Sequence, residues 1–489
     1  MSTGRILVVD VGTSSVRSGI VQADATVTDV VQVPVLPSSP EPGQVEFDAL
    51  AIQAAVLETA RAALSAGPVD GVGIANQRAT TVVWDARTGL PIGPAIGWQD
   101  LRTVINCLLL QAEGLRLAPN VSASKAQWLL DTFDPERSGA EHLRFGTMDT
   151  WIAWTLSEGS LHVTDATNAA VTGLVDHSAR SWDARTLDVL GLPATMMPGI
   201  VDSTGAVGLA TALEGAPEIC GIAGDQQASL IGQGCVAPGQ AKITFGTGGM
   251  LDMVTGPDAP ESPQRSAGGT FPIIARQRDD APVWGLEAIM LSAGSCVEWL
   301  RDDLGILTSA EESAAVAAQA TGDDGVVFVP ALLGLGTPSW DFGARGLLLG
   351  ITRGTGRSEI TRAVLEGVAQ RGLDLVEAAE ADGGVTLSSL RVDGGMTSNE
   401  VFLGILADTL GRPVEVSPIL EATTLGAGYL AGLATGLWGS EDDVAASWSP
   451  RSVVEPTADD ATRSMRRERF LEARRRAERT IPDLSGVEF

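Results

Sequence analysis

Arg5-Ile-Leu-Val-Val-Asp10-Val-Gly12-Thr13-Ser14 is an apolar run that ends on a carboxylate and turns through glycine. The same grammar returns at Lys242-Ile-Thr-Phe245-Gly246-Thr247-Gly248-Gly249. Each run reads as a buried strand, and apolar stretches at 16–22 and 251–254 read as the strands that follow each turn. Outward from the first turn, a further strand is predicted at 27–36, a helix over 47–66 and a strand at 70–75. The chain is therefore α/β, and the restart near residue 237 predicts a second unit on the plan of the first, dividing it into 1–236 and 237–489. No short-period repeat is present. A charged helix is predicted at 463–479, where Glu468, Glu472 and Glu478 alternate with arginines; that reads as a solvated face rather than a nucleic-acid tail.

Composition narrows the function. With 489 residues, 44% hydrophobic and 19% charged, the chain can bury two large cores and is not a disordered one. A net charge of −28 repels phosphate backbones and anionic headgroups, so nucleic acid and membrane surfaces are excluded as partners. There are only two lysines, Lys125 and Lys242, so an anionic ligand must be held by a metal, by arginine or by backbone N–H groups. Cys107, Cys220, Cys235 and Cys296 lie far apart without metal-ligand spacing and read as buried thiols of a reducing compartment. No leader-like apolar core opens the chain and no run approaches a bilayer span, so a cytoplasmic location is expected.

The chemistry must lie in turns and carboxylates. No Walker lysine motif, no dinucleotide-binding glycine motif after a strand and no His-Arg-Asp loop is present, and three histidines are too few for a histidine metal site. The two Gly/Thr turns offer successive N–H groups and hydroxyls to an anion, and their equivalent places would clamp a triphosphate from both sides of a cleft. A third glycine element, Asp393-Gly394-Gly395-Met396-Thr397-Ser398-Asn399, leads into a helix predicted at 400–410. Its glycines admit a flat ligand, and Ser398 or Asn399 serves equally as helix N-cap. Asp225, in Gly224-Asp225-Gln226-Gln227, sits where a strand gives way to a helix. It is the candidate base, with an ordinary N-cap as the alternative.

Together these residues resemble the FGGY family of carbohydrate kinases, most closely its glycerol kinase branch. The family's second signature is complete in Gly346-Leu-Leu-Leu-Gly350-Ile351, Glu359-Ile360 and Ala363-Val364-Leu365-Glu366. Gly73-Ile-Ala-Asn-Gln-Arg78 and Val163-Thr-Asp-Ala-Thr-Asn168 look like glycerol kinase counterparts. The resemblance covers nearly the whole chain. It implies two actin-like ATPase (ribonuclease H-like) domains around a deep cleft, with ATP and Mg²⁺. Asp10 then resembles the metal-binding carboxylate, joined by Asp225. Thr13, Ser14 and Arg17 resemble the first phosphate turn, and Gly246, Thr247 and Gly294 the second. Gly395 and Asn399 match adenine-side positions, with Glu298 standing where glutamine is common. Asp225 matches the base, with Gln226 beside it.

In the acceptor pocket Arg78 and Trp98 match glycerol-contacting residues. Ala79 replaces an expected glutamate, Asn120 an expected tyrosine and Met250 an aromatic residue, while Trp98-Gln-Asp100-Leu-Arg102 has the shape common in pentulose and hexulose kinases. The expectation is an ATP-dependent kinase for a polyol or sugar larger than glycerol, with Asp100 or Asn120 as new hydroxyl partners. The alternatives are glycerol kinase proper, a xylulokinase-like pentulose kinase, or a silent actin-like nucleotide-binding protein. A homodimer is left open.

Overall fold

Arg5–Val11 (β1) and Ser15–Gln22 (β2) are apolar enough to be buried, and the turn between them closes with Gly12 N–H donating to Ser15 O at 3.0 Å. The computed structural model describes residues 3–262, 264–320, 325–419 and 421–487. Val27–Pro34 (β3) completes an antiparallel meander, and Ala49–Leu64 (α1) starts on the Asp48 side chain, which accepts from Leu50 and Ala51 N–H. Gly71–Asn76 (β4) then runs parallel to β1. After an insertion that includes Ser122–Phe133 (α2), Thr204–Leu209 (β5) and Glu218–Gly224 (β6) finish a six-stranded sheet of order β5-β6-β4-β1-β2-β3. Val11, Asn76 and Gly224 are ladder partners, so β1, β4 and β6 end together. The first turn, Arg78 and Asp225 follow those ends directly and share one edge of the sheet. Asp225–Gly232 (α3) leads away from that edge.

The second unit repeats the hairpin. Gln240–Phe245 (β7) and Gly249–Gly256 (β8) pair antiparallel across the second Gly/Thr turn, followed by Phe271–Arg278 (β9) and Ala281–Met290 (β10). Helices Gly294–Asp302 (α4) and Arg357–Gly383 (α5) precede Ser389–Asp393 (β11), which runs parallel to β7. Glu400–Leu410 (α6), Val414–Val416 (β12) and Ser452–Val454 (β13) complete a sheet of order β9-β10-β8-β7-β11-β12-β13.

One helix of the second half crosses over. Ala422–Thr435 (α7) lays Leu425, Tyr429 and Leu430 against Ile6, Val8, Val21, Ala75 and Ala223 of the first sheet. It crosses α3 through facing glycines: a Cβ on Gly426 would lie 1.7 Å from Ala228 O, and one on Gly232 1.9 Å from Ala422 O. The C-terminal helix Asp460–Ala477 (α8) has the expected solvated face, with Glu468, Arg469, Arg475 and Arg476 exposed, and a packed face opposite it. Phe470, Ala473 and Ala477 are buried, and Arg467 and Arg474 reach Asp374 on α5 at 2.7 and 3.0 Å, because a carboxylate so buried needs counter-charge. The four cysteines are buried and free, and no helix among the described residues is long and apolar enough to cross a membrane.

Candidate active site

Asp225 opens α3 from the end of β6. Its Oδ1 accepts the Gln226 N–H at 2.8 Å and lies 3.4 Å from Arg78 Nε. Gly224 before it is obligatory for packing, since a Cβ there would sit 2.6 Å from Arg78 Cγ. The Gly224 N–H donates to Thr167 Oγ1 at 2.9 Å, and Thr167 is itself held by Asp165, so a buried polar network fixes the backbone that presents Asp225. Burial raises the Asp225 carboxyl above its ordinary range, against the pull of Arg78. A carboxylate with raised proton affinity, open to a cleft, is suited to accept a proton.

Arg78 bridges the two units: its Nη2 donates to Glu287 Oε2 of β10 at 2.5 Å, while Nη1 is buried without a partner. Burial works against the Arg78 charge, but Glu287, Asp225 and Asp252 outweigh it and hold the guanidinium protonated. Glu287 is lifted by burial to about 7 despite Arg78. Lys242, Asp252 and Glu287 are successive ladder partners on β7, β8 and β10, forming a buried row of charges across the second sheet. None of these three was assigned a role in the sequence reading. The signal was a single charge inside each apolar strand, at Lys242 in Ala-Lys-Ile, Asp252 in Leu-Asp-Met and Glu287 in Leu-Glu-Ala.

Of the residues expected to hold phosphate, Asp10, Thr13, Ser14 and Arg17 lie at the same edge of the first sheet, and Gly246, Thr247 and Gly294 belong to the second unit. Asp10 ends near the close of β1 opposite Arg17, and burial raises its carboxyl to about 7, offset by Arg17 and raised further by Asp225. Arg17 pairs with Glu421, just before α7, and its Nε is buried without a partner. Thr13 is half-buried, Ser14 and Thr247 are exposed, and Trp98 Nε1 reaches Thr13 Oγ1 at 3.5 Å, so acceptor-side and phosphate-side groups adjoin. At the second turn the Gly294 N–H is spent on Gly246 O at 2.8 Å, and a Cβ on Gly294 would lie 2.6 Å from that oxygen. Gly294 thus seats α4 against the turn. Around Gly395 a Cβ would meet nothing within 4 Å. Asn399 caps α6 with its Oδ1 on Phe402 N–H and gives its Nδ2 to Ser313, so both ends of its amide are occupied. Glu298 is exposed on α4.

In the acceptor region Asp100 requires a correction. It is wholly buried and accepts from Val45 N–H at 2.6 Å and from Arg102 N–H, Nε and Nη2 at 2.8–2.9 Å, so it braces its own loop and has nothing left for an acceptor hydroxyl. Spacing alone could not show that Arg102 folds back onto it. Ala79 is buried at φ 58°, with its carbonyl accepting from Ser122 and Thr81 hydroxyls. Asn120 is exposed, its carbonyl accepting from Lys125 Nζ at 3.1 Å, and Met250 is half-buried.

Among the described residues no three His, Cys, Asp or Glu side chains form a metal cage. Asp10 and Asp225 are close enough to repel one another electrostatically, which suits a cation that arrives already chelated rather than a resident structural ion.

Residues 5–232 match the profile of the FGGY family of carbohydrate kinases, N-terminal domain, and residues 241–435 that of its C-terminal domain. A glycerol kinase of Trichlorobacter lovleyi is 42% identical over 98% of this chain and 99% of its own length. One of Aromatoleum aromaticum is 42% identical over 92% and 94%. The crystal structure of a Plasmodium falciparum glycerol kinase with ADP superposes with a TM-score of 0.90 at 29% identity, covering 97% of this chain and 98% of that one. The two units described above are actin-like ATPase domains flanking a cleft.

Proposed function

We propose that the alcohol phosphorylated by this chain, which belongs to the FGGY family of carbohydrate kinases and is an ATP-dependent kinase, is glycerol. The observation that carries the choice is full-length similarity to proteins named glycerol kinase, together with Arg78 beside Asp225 and Trp98 beside Thr13. In this reading the first unit, 1–236, supplies the acceptor site and base, and the second, 237–489, supplies the ATP site, α7 excepted. Asp225 takes the proton of the attacking hydroxyl as its oxygen bonds to the γ-phosphorus. The bond from that phosphorus to the β–γ bridging oxygen breaks, and its electron pair leaves with ADP. Arg78 keeps the Asp225 carboxylate oriented and offers its unpaired Nη1 to an acceptor hydroxyl. Thr13 and Ser14 of the first turn and Gly246 and Thr247 of the second hold the phosphates with N–H and hydroxyl donors, and Arg17 neutralises them on leaving Glu421. Gly395 leaves room for the adenine. Mg²⁺ would be held by Asp10, with Asp225 near, and would supply charge neutralisation of the nucleotide phosphates.

A second reading rests on a specific observation. Ala79, Asn120 and Met250 offer neither the carboxylate, the phenol nor the aromatic face expected around a three-carbon chain, and the side chain of Asn120 stands exposed. These departures favour a four- to six-carbon polyol or ketose. Comparing kcat/KM for glycerol, erythritol, xylitol and xylulose decides. Glycerol should lead, and a longer acceptor ahead by about tenfold, or ~1.4 kcal/mol of transition-state binding, replaces glycerol by the second reading.

A further inference from the structure

The Lys242 ammonium, on β7 of the second unit, reaches α3 of the first and is wholly buried. Its neighbours are three oxygens: Gln226 Oε1 at 2.7 Å, Thr244 Oγ1 at 3.0 Å and Asp252 Oδ2 at 2.9 Å. An ammonium has three donors and no acceptor, so the Gln226 amide atom that faces Lys242 must be the oxygen. This removes the usual ambiguity between the two ends of a carboxamide. The Nε2 end of Gln226 therefore points away from Lys242, and no described protein group accepts from it. Gln226 follows the base directly, so a donor stands next to a proton acceptor at the start of α3.

We infer that Lys242, anchored by Asp252, is a positioning residue that locks the Gln226 carboxamide with its donor end toward the acceptor, and thereby selects acceptors with an oxygen on the carbon next to the one phosphorylated. The inference rests on the reading of Asp225 and Gln226 as acceptor-facing. Asp252 holds the ammonium in place by its charge, and Thr244 completes its shell. An unanchored carboxamide would present its oxygen and its nitrogen in turn. A vicinal hydroxyl can donate to that oxygen but a vicinal carbonyl cannot, so the locked donor matters most for an acceptor whose neighbouring oxygen is a carbonyl.

The test uses the full-length enzyme and two probes, glycerol and dihydroxyacetone, whose middle oxygen is a carbonyl and can only accept. Lys242→Met combined with Asp252→Leu removes both charges together, since deleting one alone would strand the other in a buried site. The kcat/KM for dihydroxyacetone relative to glycerol should fall about tenfold, with the KM for ATP unchanged. Asp252→Glu, which keeps the anionic partner of Lys242, should keep that ratio within about twofold. Gln226→Glu, which can pair with Lys242 but offers only acceptor atoms, should lower the ratio even if the double variant does not fold.

Orientation is read without turnover in protein labelled with ¹⁵N-glutamine. The Gln226 side-chain signal, assigned by its loss in Gln226→Leu, should move in the double variant and stay in Asp252→Glu. A dihydroxyacetone-to-glycerol ratio unchanged in Gln226→Glu, or a Gln226 signal unmoved in the folded double variant, overturns the inference. Absence of glycerol turnover in the wild type overturns the acceptor reading instead, and the amide signal then decides the orientation by itself.

Discussion

Gly426→Ala is the sharpest test of how the base is carried. The added Cβ would sit 1.7 Å from Ala228 O, whereas ordinary contact begins near 3.4 Å, so α7 and α3 must part locally by about 1.7 Å. The obstacle is backbone and cannot rotate away. Overpacking of this kind typically costs about 1–3 kcal/mol, and a backbone clash belongs at the upper end. At roughly 2–4 °C per kcal/mol for a unit of this size, the melting temperature should drop by at least about 5 °C. Because Asp225 is the first residue of α3, the base moves as well, and a displacement near 1 Å is worth about 10²-fold in rate. Scanning calorimetry and an ADP-release assay read both effects. Gly404→Ala is the internal control: it lies within α6, a Cβ there meets nothing within 4 Å, and the change should stabilise by about 0.5–1 kcal/mol. If Gly426→Ala melts and turns over like the wild type, the tight helix crossing does not support Asp225.

Asp225→Asn keeps the shape but cannot take a proton, so kcat should fall by about 10² or more while ATP affinity, read by calorimetric titration, is preserved; near-normal turnover would dismiss Asp225 as the base. Asp149 accepts from Thr147, Thr164 and the Asp165 N–H, and burial, reinforced by the Asp165 charge, raises it to about 7. A carboxyl whose folded value lies above its unfolded one binds the proton more tightly when folded, so it costs stability as pH rises from about 4 to about 7 and nothing further above that. Asp149→Asn should therefore flatten the fall in melting temperature of the ligand-free protein between pH 5 and 7, and a slope equal to wild type refutes the assignment.

Much of this was legible in the chain. β1, β2 and α1 lie within about two residues of where the apolar patterns place them, and both Gly/Thr turns fall between antiparallel strands as their glycines require. Asp225 could be singled out because an acid between an apolar strand and a helix is a local pattern. Glu287 was not paired with Arg78, because the two are 209 residues apart and a lone charge in an apolar strand does not name its partner. Asp100 misled for the opposite reason: its spacing resembled a binding motif, while its four hydrogen bonds are taken up by Arg102 and by the distant Val45 N–H. The crossing of α7 onto the first sheet was equally hidden, since an apolar helix does not say which of two sheets it will cover.

That crossing has a consequence for how the chain is made. When the ribosome has delivered residues 1–236, the face formed by Ile6, Val8, Val21, Ala75 and Ala223 has no cover, and α7 lies about 190 residues further along. At roughly 5–20 residues per second the nascent sheet waits on the order of 10–40 s for its last layer. Throughout that interval it is the surface on which chaperones and aggregation compete. A fragment ending at residue 236 would remain in that state, so a chain that reaches through α7, and not its first unit alone, is needed to cover that face.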